Sequence, residues 1–138
     1  MEFDTRTLPA DRDVVAPDGS EVRILLSLDG GSAAHFRLGP GQTSVAIRHR
    51  SVEEIWYVVS GAGELWRRQD EREETVGLRP GVCVSHPAAT AFQFRATGPD
   101  DLAVVGITMP PWPGDGEAVA CAGPWTATVA PGPGLATA

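Results

Sequence analysis

Residues 47–61 read IRHRSVEEIWYVVSG. The run from Ile55 to Ser60 decides the fold. It is β-branched and aromatic, which suits a strand, and Gly61 and Gly63 turn the chain after it. Side chains alternate along a strand, so Ile47 and His49 share one face, and Glu54, Trp56 and Val58 share a face on the next strand. The opposite face, Ile55, Tyr57 and Val59, is also apolar. It needs cover from a second sheet, the N-terminal segment or a second subunit.

Working outward, the chain breaks into short strand-like runs separated by glycine and proline. They are 22–28, 34–38, 43–49, 55–60, 64–68, 73–78, 82–86, 92–95 and 102–108, with a possible edge strand over 125–129. Asp70 and Glu71 form a hairpin tip. The stretch from Met109 to Gly116 reads as a rigid extended linker whose Trp112 clamps onto the body or a neighbour. No amphipathic helix and no internal repeat interrupts the pattern. Evenly spaced short strands with glycine and proline turns predict an all-β sandwich or small barrel.

The 138 residues predict a single domain over 1–138, with an N-terminal arm at 1–19, a core at about 20–130 and a disordered tail at 130–138. The formal charge of −7 excludes a phosphate-backbone partner, so no nucleic acid is expected. No apolar run is long enough to span a membrane and no leader is visible, so a cytoplasmic protein is expected. Cys83 and Cys121 form no CxxC and read as reduced thiols, with Cys83 a small buried residue.

Two spacings carry a resemblance. Gly41 is followed after five residues by Ile47, then by His49, Glu54 and Gly61 at intervals of one, four and six residues. Gly81 is followed after five residues by Pro87, then by Ala89, Phe92 and Ala96 at intervals of one, two and three. These spacings resemble the two motifs of the cupin family. The resemblance implies an all-β double-stranded β-helix, a jelly-roll barrel, and commonly a homodimer.

A typical cupin holds a divalent transition metal with three histidines and a glutamate. Position by position, this chain offers Ile47, His49, Glu54 and Phe92. Neither Ile47 nor Phe92 has a lone pair to donate, so a metal-free site is expected. The alternative is a transition metal on His49 and Glu54 with unexpected helpers. His35 has no assigned facing. His86 lies six residues before Phe92, roughly 20 Å of extended chain at ~3.3 Å per residue. Both read as surface or strand-end histidines.

If the cupin register holds, Ile47, Trp56, Val58, Phe92 and Phe94 wall an apolar interior, and Trp66 joins them if its parity allows. His49 and Glu54 are then its convergent polar pair, the anatomy of a small-molecule site. Apolar surroundings raise a carboxyl's proton affinity, and a nearby histidine opposes that by ion pairing. Such a pair moves protons without a redox cofactor. The expected function is a metal-independent isomerase or cyclase acting on a hydrophobic small molecule through Glu54 and His49. The alternatives are a non-catalytic binding protein and a metal-dependent oxygenase or isomerase. The same residues would also serve as plain core filling.

Overall fold

The computed structural model describes residues 2–137. Their regular elements are eleven strands, numbered in chain order, with no helix. One sheet runs in the order β1 (Val14–Val15), β2 (Glu21–Leu28), β3 (Gly31–Leu38), β10 (Leu102–Met109), β5 (Glu53–Ser60) and β8 (Cys83–His86). The other runs β11 (Ala118–Ala120), β4 (Ile47–His49), β9 (Ala91–Ala96), β6 (Gly63–Gln69) and β7 (Arg72–Leu78). Every pairing between named strands is antiparallel. This is the two-sheet jelly roll that the strand pattern implied.

Two turn positions show why the motif spacing builds this fold. Gly61 adopts a φ of 82°, and a side chain there would run into the backbone of Asp101 and Leu102. Ala89 stands where the cupin motif carries glycine, and its φ is 66°. The left-handed conformation has therefore been kept although the glycine has not. For a residue with a Cβ this costs roughly 1 kcal/mol.

Alternation holds along β5. Glu54, Trp56 and Val58 are buried, and Ile55, Tyr57 and Val59 remain 41%, 52% and 42% exposed. Neither the second sheet nor the N-terminal segment covers that outer face. Between the sheets, Leu38, Val58, Leu65, Phe94, Leu102 and Val104 form a continuous core.

Two sequence expectations change. The strand expected over 43–49 is regular only over Ile47–His49; before it, Ser44 and Val45 bond to Phe94 and Asp18 instead of a continuous ladder. Residues 125–129 form no strand. Trp125 is held instead by the Gln93 side chain, which accepts its N–H (3.1 Å) and donates to its carbonyl (2.9 Å). The last strand is β11, closer to the linker.

The ends of the chain also differ from expectation. The arm supplies β1 and the turn that follows it. The tail is ordered over its described residues: Gly132 donates to Ala16, Ala136 exchanges backbone bonds with Ala118 and Ala120, and Leu135 packs on the core. Met1 and Ala138, the outer limits of the expected arm and tail, lie outside the described residues.

Candidate functional site

Small residues open a space at one end of the barrel. Ala34 on β3 pairs with Gly106 on β10, and Gly106 in turn lies opposite Trp56 on β5. A Cβ at Gly106 would stand 2.9 Å from the Glu54 carboxyl and 3.1 Å from the Trp56 ring. Glycine therefore makes room for both side chains. The result is a cavity of about 400 Å³, walled mainly by apolar groups that include Val22, Ile24, Phe36, Ile47, Trp56 and Phe92. That volume suits a small organic molecule.

His49 and Glu54 both line this cavity, as the strand parity implied. Ile47, Trp56 and Phe92 are in its wall. Val58 and Phe94 are not; they lie beneath it in the filled core, with Phe94 packed 4.8 Å from Trp56. Trp66 is also absent from the wall. Its neighbour Leu65 points into the core, so Trp66 points to the other side of the sheet, where its indole N–H donates to Glu73 and Arg68 lies over its ring.

Of the two opposing influences on the pair, burial and ion pairing, burial prevails. No hydrogen bond or salt bridge joins them. Burial raises the Glu54 carboxyl to about 8. The Trp56 indole opposes this in part without reaching hydrogen-bond geometry, and the charge of Asp18 adds to it. Burial lowers the His49 imidazole to about 4, with Glu117 pulling the other way. Near neutral pH the site therefore holds an uncharged acid and an uncharged base.

The remaining histidines resolve differently. His35 faces away from the interior, since its neighbours Ala34 and Phe36 line the cavity. Burial and the charges of Arg23 and Arg37 hold it below its ordinary value. His86 is not a surface residue. It lies across from Glu54 in the β5–β8 register, and its ring packs 4.4 Å from both Trp56 and Phe92. The expectation failed because distance along the chain was measured from Phe92, whereas β8 pairs with β5. Burial keeps the imidazole far below its ordinary value, and neither ring nitrogen has a hydrogen-bond partner. Cys83 is exposed, correcting its reading as a buried residue.

Two contributors, Glu117 and Asp18, were not foreseen, and Trp112 was. Glu117, far along the chain, accepts the N–H groups of Ser51 and Val52, each at 2.7 Å. It thereby fixes the loop joining His49 to Glu54. Trp112 does clamp onto the barrel: its ring meets His49 at 5.1 Å, and its backbone N–H donates to Ser32 Oγ (3.0 Å). Asp18 reaches the cavity from the turn between β1 and β2. No local signal marked Glu117 or Asp18, because each acts on a site distant in sequence.

The four-donor metal pattern does not fit this residue set. Ile47 and Phe92 occupy two of its positions and face one another across β4 and β9, filling that wall with hydrocarbon. Among the described residues no group of three or more His, Cys, Asp or Glu side chains is arranged to hold an ion. His49 and Glu54 alone leave most of a coordination shell to solvent.

A two-sheet jelly roll with an acid, an imidazole and aromatic walls at one end defines the class of protein. The Cupin domain family model matches residues 34–108, and the chain belongs to the cupin family. KdgF from Halomonas sp. has a similar structure, with a TM-score of 0.63 and 24% identity over 76% of this chain and 94% of that one. Oxalate decarboxylase from Bacillus subtilis (TM-score 0.64, 18% identity, 73% of this chain) and the capsular polysaccharide assembling protein CapF from Staphylococcus aureus (TM-score 0.63, 18% identity, 73% of this chain) share the fold. The chain spans only 28% and 31% of those last two proteins. At these identities the likeness establishes the fold and no activity. A search of curated proteins gives no significant match. No helix among the described residues is long and apolar enough to cross a membrane.

Proposed function

We propose that this cupin is a metal-independent isomerase or cyclase that takes a hydrophobic small molecule into the barrel and moves a proton on it. The observation that carries this reading is a buried carboxyl, Glu54, opening into an apolar cavity of about 400 Å³ with no arginine in its wall. A carboxyl held protonated near neutrality can donate to substrate. The carboxylate left behind, in apolar surroundings, is a strong base that takes a proton back from another substrate atom. His49, uncharged, serves as the second acceptor on the adjoining wall. Trp56 and Phe92, with ring centroids 5.5 Å apart and nearly perpendicular, would hold a flexible substrate in a folded shape and so lower the entropic barrier to closure.

The test is turnover against retention. The protein is incubated with candidate hydrophobic substrates, and products are followed by mass spectrometry and by exchange of substrate hydrogen for solvent deuterium. Conversion or exchange that disappears in Glu54→Gln supports the enzyme. Tight retention without either supports the second reading, a non-catalytic binding protein, which the same apolar wall accommodates.

We also propose a homodimer through the outer face of β5 and β10. Ile55, Tyr57 and Val59 there are joined by Ile107, which pairs with Ile55 and is likewise exposed. Contiguous apolar surface of this kind marks an association site. Sedimentation equilibrium giving only the monomer mass at micromolar concentration would remove this proposal.

A further inference from the structure

The cavity contains a charge pattern that hydrophobic binding alone leaves unexplained. Three carboxylic side chains line it, Asp18, Glu54 and Asp115, and no arginine does; the sequence contains no lysine. Asp18 is the unusual member. It is only 5% exposed, yet no cation pairs with it. Its Oδ1 accepts the Ser20 N–H (2.9 Å) and the Ser20 hydroxyl (2.7 Å). Its Oδ2 accepts no hydrogen bond from the described residues. One oxygen is thus fixed by the turn, and the other is left for a partner the protein does not supply.

Independent features of the same wall also point to a ligand. His49 Nδ1 is buried without a hydrogen-bond partner although the residue lines the cavity, and a neutral imidazole nitrogen can accept from an ammonium N–H. Such orphaned groups are uncommon in folded proteins and mark places where a ligand or water completes the bonding. Phe36, Trp56 and Trp112 line the same cavity, and aromatic rings attract cations to their faces.

We propose that the ligand of this cavity is a hydrophobic amine, whose protonated nitrogen pairs with Asp18 while its hydrocarbon lies against Phe36, Trp56 and Phe92. The inference rests on the reading of the cavity as a hydrophobic small-molecule site and names the substrate class for it. Anionic substrates are disfavoured, since they would meet three carboxyl groups and no basic side chain except an imidazole kept neutral by burial. An ammonium group supplies the missing counter-charge of Asp18. Burial raises the proton affinity of that carboxyl against the opposing Ser20 hydrogen bonds, so its lone ionised form is disfavoured and a paired one restored. Glu54 is left free to handle the proton.

The experiment uses three probes with one hydrocarbon: 2-phenylethylamine, 2-phenylethanol and 3-phenylpropanoate. Each is titrated into the full chain at pH 7 by calorimetry. The amine is expected to bind at least tenfold more tightly than the alcohol, with the carboxylate weakest. Asp18→Asn, which keeps an acceptor for Ser20, is expected to reduce the amine-to-alcohol ratio to about one. An alcohol that binds as well as the amine in the unaltered protein overturns the amine proposal and leaves the hydrophobic site standing. So does an undiminished ratio in a folded Asp18→Asn. If the variant does not fold, the ratio in the unaltered protein still decides. Failure of all three probes to bind overturns the hydrophobic-site reading and the amine proposal with it.

Discussion

The two ends of the space between the sheets are built from the same strands and differ in what those strands point inward. At the filled end β3, β5, β9 and β10 contribute Leu38, Val58, Phe94 and Leu102. A few residues further along, the same four strands contribute Ala34, Glu54, Phe92 and Gly106 to the cavity wall. Backbone geometry is shared, so the cavity is a matter of side-chain volume. Where leucine gives way to alanine and glycine, the sheets cannot close, and an acid placed there is stripped of water without gaining a counter-ion. The filled end holds the fold together, and the open end uses that rigidity to keep Glu54 in a state it would not adopt in solution.

Breaking each end should therefore have a different signature. The largest effect is expected on turnover. Glu54→Gln removes the proton carrier and keeps the shape, and should lower the proposed activity by about 10²–10⁴-fold, the range of general acid–base contributions. Its circular dichroism should be unchanged. At the filled end, Phe94→Ala should cost about 3–5 kcal/mol in urea unfolding, because the ring is fully buried among Trp56 and its neighbours. Phe36→Ala, at the cavity edge and only partly buried, should cost less stability while weakening ligand binding more. A reversal of that order would dissolve the distinction between the two ends.

A smaller effect is expected from pH. Glu54 has an ordinary value of 4.5 and is raised to about 8 in the fold. Between those values the unfolded chain gives up a proton that the folded one keeps, so stability falls as pH rises. His49 is lowered from 6.5 to about 4, and there stability rises with pH; His86 acts in the same direction. The effects oppose one another below pH 6.5. Above it the raised Glu54 and Asp18 carboxyls act together, and the share set by Glu54 should lower stability by roughly 2 kcal/mol between pH 6.5 and 8. Melting curves across this window should flatten in Glu54→Gln. The smallest effect is expected at the mouth, where Trp112→Ala should weaken ligand binding by about 1 kcal/mol, the order of one aromatic contact, with little change in stability.

The fold was legible because its signals are local. The glycines at 41, 61 and 81, the apolar run at 55–59 and strict alternation fix strands and faces with little help from the rest of the chain. Half of the site was legible for the same reason. Parity grouped Ile47 with His49 and Glu54 with Trp56, and the register of the cupin motifs turned these residues and Phe92 inward. The remainder depended on register between distant strands. His86 was misplaced because only pairing of β8 with β5 brings it beside Glu54. Trp66 was placed in the wall only if its parity allowed, and that parity depended on how β6 pairs with its neighbours. Asp18 and Glu117 carry no motif. They are recognisable only once the turn after β1 and the segment before β11 are seen to close on the site. Whether burial or ion pairing would govern His49 and Glu54 was not legible in the sequence, because it depends on how deeply the fold buries each group.

The central claim is that the open end keeps Glu54 protonated near neutral pH, and its most direct test is a titration of that carboxyl. Side-chain carboxyl ¹³C resonances followed by NMR from pH 4 to 10, with Glu54 assigned by comparison with Glu54→Gln, report its midpoint. The account predicts a midpoint of about 8. A midpoint near the ordinary 4.5 would contradict it. It would mean that the carboxyl is charged and solvated at neutral pH, and that the cavity is neither apolar enough nor isolated enough to do the chemistry proposed for it.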